Sequence, residues 1–198
     1  MKRLFDFFIS LIGIIVLSPV FILLILAIKL SSKGGAFYKQ VRVGQYNKDF
    51  GLLKFRSMYV NSDKLGLLTV GNQDQRITAI GSFIRKYKLD ELPQLINVLY
   101  GQMSLVGPRP EVRKYVNLYT KEEYKVLDLL PGITDLASIK YRDENDILNH
   151  HGDPEKYYIE VIMPDKIRIN LSSYEMSKSV FGSIRIIYLT VKAVFFSK

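Results

Sequence analysis

The densest run of chemically capable side chains in this sequence is Arg85-Lys86-Tyr87-Lys88-Leu89-Asp90-Glu91. Two adjacent carboxylates follow three cations, just where an apolar stripe of helical spacing begins at Leu92, Leu95, Ile96 and Leu99. A helix N-terminus and nearby cations depress carboxylate pKa values and attract phosphate. One carboxylate can then act as nucleophile or metal ligand, and its neighbour as base or second ligand. The pair also fits the ordinary preference of first helical turns for Asp and Glu, and the residues alone leave both readings open. A second basic group is Lys54-Phe55-Arg56-Ser57-Met58. On a strand, Lys54 and Arg56 share one face, a geometry that suits a diphosphate, although these residues taken alone favour a basic solvent face. The third group is the rigid turn Gly107-Pro108-Arg109-Pro110, where flanking prolines hold the backbone around one guanidinium, a placement that suits phosphate. His150 and His151 are adjacent, without ligand spacing, and read as polar loop rather than metal site. The absence of a Walker loop, a dinucleotide fingerprint and a nucleophile elbow counts against kinases, dehydrogenases and lipases.

The elements that must position these groups are short. Residues 36–41 and 50–55 read as a hairpin around the polar turn 44–49, and 61–75 as a polar loop. Apolar spacing predicts a helix over 77–89 and a second over 90–100, with Pro93 near its start and Gly101 ending it. A single amphipathic helix is expected over 111–130, stopped by Pro131-Gly132. Residues 142–155 read as a loop, and 157–171 show no decisive period. Residues 184–196 are apolar with Arg185 and Lys192 interspersed, too short to span a membrane, and suit a helix in the interface or the core. Together these give an α+β chain, mostly helical.

The 198 residues carry a net charge of +9, and +7 of it lies in 1–60, where nine Lys or Arg face Asp6 and Asp49. That region also holds the most apolar stretch, so the charge points to anionic lipid headgroups rather than nucleic acid. Residues 141–165 run the other way, with seven acids against two bases, and read as solvated loop. There is no cysteine, which excludes disulfides and Cys-based zinc sites and fits a reducing cytoplasm. Residues 4–30 are almost wholly apolar and as a helix would reach about 40 Å, enough for a ~30 Å hydrocarbon core and too long for a signal peptide. Ser18-Pro19 near the middle, and basic flanks on both sides (Lys2, Arg3; Lys29, Lys33), favour a re-entrant segment with both ends on one side over a Pro-kinked span. The division expected is 1–33 as membrane helix broken at Ser18-Pro19, and 34–198 as a cytoplasmic domain resting on the membrane.

Taken together, these residues resemble the bacterial sugar transferase family, the monotopic phosphoglycosyl transferases. The likeness runs in order along nearly the whole chain: Ser18-Pro19, the Lys54–Met58 group, the run from Asp74 to Pro110 with its DELPQL and MSLVGPRP blocks, and Pro131-Gly132-Ile133-Thr134. The resemblance implies transfer of a phosphosugar from a UDP-sugar to polyprenyl (undecaprenyl) phosphate, with release of UMP. This would be the first membrane step of a glycoconjugate pathway, on the cytoplasmic face of the bacterial inner membrane. It implies magnesium, a nucleophilic Asp90 that forms a covalent phosphosugar adduct and touches the metal, and an assisting Glu91. Arg85 and Arg109, with Lys54 and Arg56 on the basic strand, are implied to lie near the phosphates. It also strengthens the re-entrant reading of Ser18-Pro19, while a homodimer is left open. Two departures stand out. Many relatives have an acid where Gln102 stands, and Asp135-Leu136-Ala137-Ser138 replaces a Gly-Trp-Ala-Gln run, so sugar specificity does not carry over. The chain resembles the family's minimal form. The rival reading is a non-catalytic adaptor that binds anionic lipid, which leaves the Asp90-Glu91 and Gly107–Pro110 constraints without a task.

Overall fold

The computed structural model describes residues 1–60, 62 and 74–196, so most of the expected 61–75 loop lies outside the described residues. The chain opens with α1 (Lys2–Ser31), among the described residues the one helix long and apolar enough to cross a membrane. Its apolar surface is interrupted along a single stripe. Asp6, Ser10, Phe21, Leu24 and Ile28 are buried, and Leu17 packs beside Phe21. Gly13 brings the backbone close to Leu95. Positions 6, 10, 13, 17, 21, 24 and 28 step by three and four, so this one face lies against the rest of the chain for about 33 Å. Leu4, Phe8, Ile15, Val16, Leu23 and Leu26 point outward.

Both ends of α1 are tied down by polar contacts. Lys2 Nζ donates to Ser104 Oγ at 2.7 Å, and Ser104 Oγ donates to Asp6 Oδ2 at 2.8 Å. Arg3 donates to the carbonyls of Val98 (2.5 Å) and Leu99 (2.8 Å). At the far end Arg56 donates to the carbonyls of Ser32, at 2.9 Å, and Lys33. Pro19 lacks the amide that would bond the Ile15 carbonyl, and Ser18 Oγ donates to that oxygen at 2.8 Å. The hydrogen-bonded helix therefore continues through Ser18-Pro19, where the residue pair predicts a break.

The hairpin is present as β1 (Phe37–Val43) and β2 (Asp49–Phe55), antiparallel in register from Val43↔Asp49 to Phe37↔Phe55. Next come α2 (Ala79–Lys86), N-capped by Thr78, a 3₁₀ turn at Leu89–Glu91, and α3 (Gln94–Leu99). Strand β3 (Ser104–Val106) pairs in parallel with β4 (Gly132–Thr134) across a segment holding α4 (Arg113–Val116) and a 3₁₀ stretch at Glu123–Asp128. The rest is helical: α5 (Leu136–Lys140), α6 (Glu144–Asn149), α7 (Pro154–Tyr157), a π turn (Tyr158–Ile162), α8 (Met163–Ser172), α9 (Tyr174–Lys178) and α10 (Val180–Phe196). Helices with two small sheets make the expected α+β class.

Several element boundaries need correction. The dyad does not open the second helix, because α3 starts only at Gln94, after Pro93. The single helix expected over 111–130 is two short pieces. Val112, Tyr115, Val126 and Leu129 all enter one core cluster with Tyr158 and Ile167, which a straight helix about 30 Å long could not deliver. A capping box marks the restart, with the Thr120 amide donating to Glu123 Oε2 at 2.7 Å and the Glu123 amide to Thr120 Oγ1 at 3.3 Å. The acidic stretch is helical and ion-paired rather than loop. Asp165 pairs with Lys140 at 2.6 Å and with Arg168, and Glu144 pairs with Lys166. The 184–196 helix starts earlier, at Val180, and buries Ile186 beside Leu52 and Met103 while exposing Phe181 and Tyr188.

The β3–β4 crossing leaves no room for side chains on its two glycines. A Cβ on Gly132 would fall on the backbone of Gly107, and one on Gly107 would meet the Leu130 carbonyl. Gly132→Ala is therefore expected to cost about 3 kcal/mol or more, lowering Tm by about 6–12 °C in thermal unfolding of the detergent-solubilised protein. Gly152→Ala, which has nothing within 4 Å of the added atom, should leave Tm unchanged.

Candidate active site

Three elements converge on Glu91. The β2 strand brings Lys54, the 3₁₀ turn brings the dyad, and the loop after β3 brings Arg109. Lys88, at φ 57, turns the chain left-handed just before the dyad and so aims Asp90 and Glu91 inward. Buried Asn97 ties α3, the helix that follows the dyad turn, to β2. Its Oδ1 accepts from the Leu53 amide at 2.9 Å, and its Nδ2 donates to the Gly51 carbonyl at 2.8 Å. The arginine turn is held at each peptide. Gly107 N donates to Thr134 O (3.0 Å), Gly132 N to Pro108 O (2.9 Å), Arg42 Nη1 to Pro110 O (3.0 Å) and Val43 N to Glu111 O (2.8 Å).

Arg109 grips Glu91 with both terminal nitrogens, Nη1 donating to Oε2 at 3.0 Å and Nη2 to Oε1. Lys54 Nζ lies 3.8 Å from the same Oε1. Burial alone would raise the Glu91 pKa, but Arg109 first and Lys54 second hold this carboxyl well below the usual carboxylate range. Asp90 is the opposite case. It is 7% exposed, and among the described residues no hydrogen-bond or ion-pair partner contacts its carboxylate. Burial, then the charge of Glu91, raises its pKa, against the opposing pull of Lys54, Arg85 and Arg109. Two adjacent carboxylates are thus pushed apart: Glu91 is fixed and anionic, while Asp90 is available.

The structure brings Asp90, Glu91, Lys54 and Arg109 together, with Arg85 near enough to act on Asp90 through its charge. Arg56 stands elsewhere. It lies past the end of β2, 7% exposed, and its guanidinium caps the C-terminus of α1. Sharing a strand face with Lys54 is lost because β2 ends at Phe55. Gln102 accepts from Asn97 Nδ2 at 2.8 Å. His151 stacks on Tyr157, and among the described residues no group of three or more His, Asp or Glu is placed to hold a metal. Sequence reasoning missed Asn97 and Arg42, which carry no motif signal and matter only through partners distant in sequence. Behind the arginine turn a cavity of about 40 Å³ lies among Arg109, Glu111, Tyr119 and Tyr158. It is far below the size of a ligand pocket.

Comparison with known proteins gives a consistent picture. A family model described as "Bacterial sugar transferase" matches residues 1–197. The chain is similar to a UDP-glucose:undecaprenyl-phosphate glucose-1-phosphate transferase of Klebsiella pneumoniae, 37% identical over 100% of this chain and 40% of the relative. It is also similar to a UDP-N-acetylgalactosamine-undecaprenyl-phosphate N-acetylgalactosaminephosphotransferase of Aeromonas hydrophila, 42% identical over 70% of this chain and 33% of the relative. The chain therefore spans well under half the length of these two proteins. The exopolysaccharide production protein ExoY of Rhizobium meliloti is 31% identical, with 100% of this chain and 86% of the relative covered.

Burial, opposed mainly by Glu91, pushes the Lys54 pKa down from 10.5 to about 8. Between those values the unfolded chain holds a proton that the folded chain has released. Stability from this group therefore rises with pH across the window, and the penalty is constant below it. Urea unfolding should show wild type gaining stability relative to Lys54→Gln on going from about pH 7 to about pH 10. A difference that does not change with pH would mean that Lys54 is not displaced.

Proposed function

The chain belongs to the bacterial sugar transferase family, and from that membership and the asymmetric Asp90–Glu91 pair we propose that it transfers a phosphosugar from a UDP-sugar to a polyprenyl (undecaprenyl) phosphate at the cytoplasmic surface of the membrane, releasing UMP. The observation that carries the reading is the division of labour in the dyad. Glu91 is held by two cations, whereas the carboxylate of Asp90 has no hydrogen-bond or ion-pair partner among the described residues and faces the same charges. A lipid-binding adaptor has no use for such an arrangement.

A diphosphate repels an approaching carboxylate until its charge is countered, and Arg109, Lys54 and Arg85 supply that countercharge. An Asp90 oxygen then attacks the β-phosphorus while the bond from that phosphorus to the oxygen bridging to the α-phosphate breaks. UMP leaves with the bridging oxygen, and the phosphosugar remains as an acyl phosphate on Asp90. In the second half-reaction an acceptor phosphate oxygen attacks the same phosphorus and the Asp90 carboxylate is expelled. Glu91, anionic and gripped, serves as organiser of Arg109 and Lys54 rather than as a base while they hold it. The donor set suits magnesium, which typically takes one or two carboxylates and completes its shell with water and substrate phosphate. Asp90 would hold that ion, and it would supply further charge neutralisation at the diphosphate.

The membrane reading rests on how α1 is held. One stripe of the helix contacts the domain along its length, and Arg3 and Arg56 tie its two ends to that same body. Crossing a bilayer would require stripping one end off the domain and exposing Asp6 to hydrocarbon. An α1 with both ends on the cytoplasmic side keeps every one of these contacts. The outward residues of α10, Phe181, Ile184 and Tyr188 among them, suit an interfacial position beside it.

Enzyme with UDP-sugar and magnesium but no acceptor should release up to one equivalent of UMP, and intact-protein mass spectrometry should show the matching adduct. Asp90→Asn should lose both signals, and Glu91→Gln should slow turnover at least about 100-fold. UMP that appears only with acceptor, and no trappable adduct, would point to direct transfer in a ternary complex. For topology, the absence of native cysteine allows one to be appended before Met1 and another placed as Lys33→Cys. Both should resist an impermeant thiol reagent in intact cells and react after lysis; labelling of the N-terminal site from outside would mean that α1 spans.

A further inference from the structure

Of the three residues Pro108-Arg109-Pro110, only Arg109 has a backbone N–H. The Pro108 ring sets its own φ, and Pro110 restricts the ψ of Arg109. What the prolines leave free is the rotation of the peptide plane between Pro108 and Arg109, and that plane determines where the Arg109 side chain departs. Its N–H donates to Asp135 Oδ2 at 2.8 Å. The other carboxylate oxygen, Oδ1, accepts from the Ser138 amide at 2.5 Å and so caps α5. Asp135 is 3% exposed and sits one residue past β4, the strand whose Gly132 already touches Gly107.

Capping α5 needs one acceptor, which Ser, Thr or Asn would supply without burying a charge. A buried carboxylate is costly, and burial does push this one's pKa up against the donors that hold it. The second acceptor is what distinguishes Asp from the alternatives at this place, and it is directed at Arg109. We propose that Asp135 is a positioning residue for the phosphate-binding arginine. It fixes the N–H side of the one peptide plane that the prolines do not set, where the Gly132 amide holds the Pro108 carbonyl side at 2.9 Å, so that Arg109 can pass from Glu91 to a bound diphosphate without losing its aim. The proposal rests on the reading of Arg109 as a diphosphate ligand.

The test uses the 198-residue chain in detergent with UDP and magnesium as the probe, so that binding is read separately from transfer. Asp135→Ser keeps the cap and removes the contact to Arg109. UDP affinity should fall by roughly tenfold, with Tm within about 2 °C of wild type. In an Arg109→Ala background the same substitution should change UDP affinity less than about twofold, because the residue it positions is gone. If Asp135→Ser does not fold, Asp135→Asn, of equal volume and able to accept from one of the two amides, takes its place in the same cycle. Wild-type UDP affinity in Asp135→Ser, or an equal loss with and without Arg109, overturns the positioning role alone. A wild-type chain that binds no UDP overturns the reading of Arg109 and the proposal with it. A chain that binds UDP, shows the Arg109-dependent loss and yet releases no UMP from any UDP-sugar retains Asp135's role while the transfer reaction falls.

Discussion

The ion pair of Arg109 with Glu91, seconded by Lys54, is the constraint around which the site is arranged. Removing one member would leave an uncompensated charge in a largely buried place, which costs far more than the intact pair contributes. The three residues come from a strand, a 3₁₀ turn and a proline-bounded loop, so the pair also pins three separate chain segments to one point. Its chemical consequence falls on a fourth residue. With Glu91 satisfied, Asp90 sits among the same cations with no hydrogen-bond or ion-pair partner among the described residues, and burial, then the charge of Glu91, disfavours its charged form. This unpaired carboxylate inside a satisfied network is the observation on which the proposed nucleophilic role of Asp90 rests.

The supporting structure follows from that geometry. Arg109 can be held steady because β3 and β4 cross so closely that Gly107 and Gly132 are in backbone contact. Four successive residues, 108 to 111, each have a backbone group satisfied from elsewhere in the fold. On the opposite side Asn97 joins α3 to β2 and so keeps the dyad turn in register with Lys54. The α1 helix packs on these same elements, α3 and β3 included, which places the cluster beside the apolar surface. Under the proposed function, an acceptor with a long hydrocarbon chain would find its phosphate and the cluster at one boundary.

The polar residues in α1 gather on the face that meets the rest of the chain. Asp6, Ser10 and Gly13 interrupt the apolar run at intervals of four and three, and all face the domain. The remaining circumference stays apolar. Two arginines sit at the joints, Arg3 at the end of α3 and Arg56 just past the end of α1, each placing a cation against main-chain carbonyls at the negative end of a helix.

Much of the site was legible in the sequence because its chemistry is local. Asp90-Glu91 are adjacent, Arg109 is bracketed by prolines, and Lys54 lies in an alternating strand, so residue type and spacing singled them out as candidates, while their roles came only from the family resemblance. The hairpin, the apolar N-terminal helix and the α+β class were legible for the same reason, since periodicity reports which face is buried. What only the tertiary structure decided depends on contacts between distant residues. Arg56 carries the same charge as Lys54 two positions away, yet it caps a helix because β2 ends between them. The 111–130 stretch has helical periodicity throughout, yet it folds back because both of its apolar halves must reach one core. Which carboxylate of the dyad is held and which is free could not be read from two adjacent letters. That is decided by the directions from which Arg109 and Lys54 arrive, eighteen and thirty-seven residues away from Glu91 in sequence.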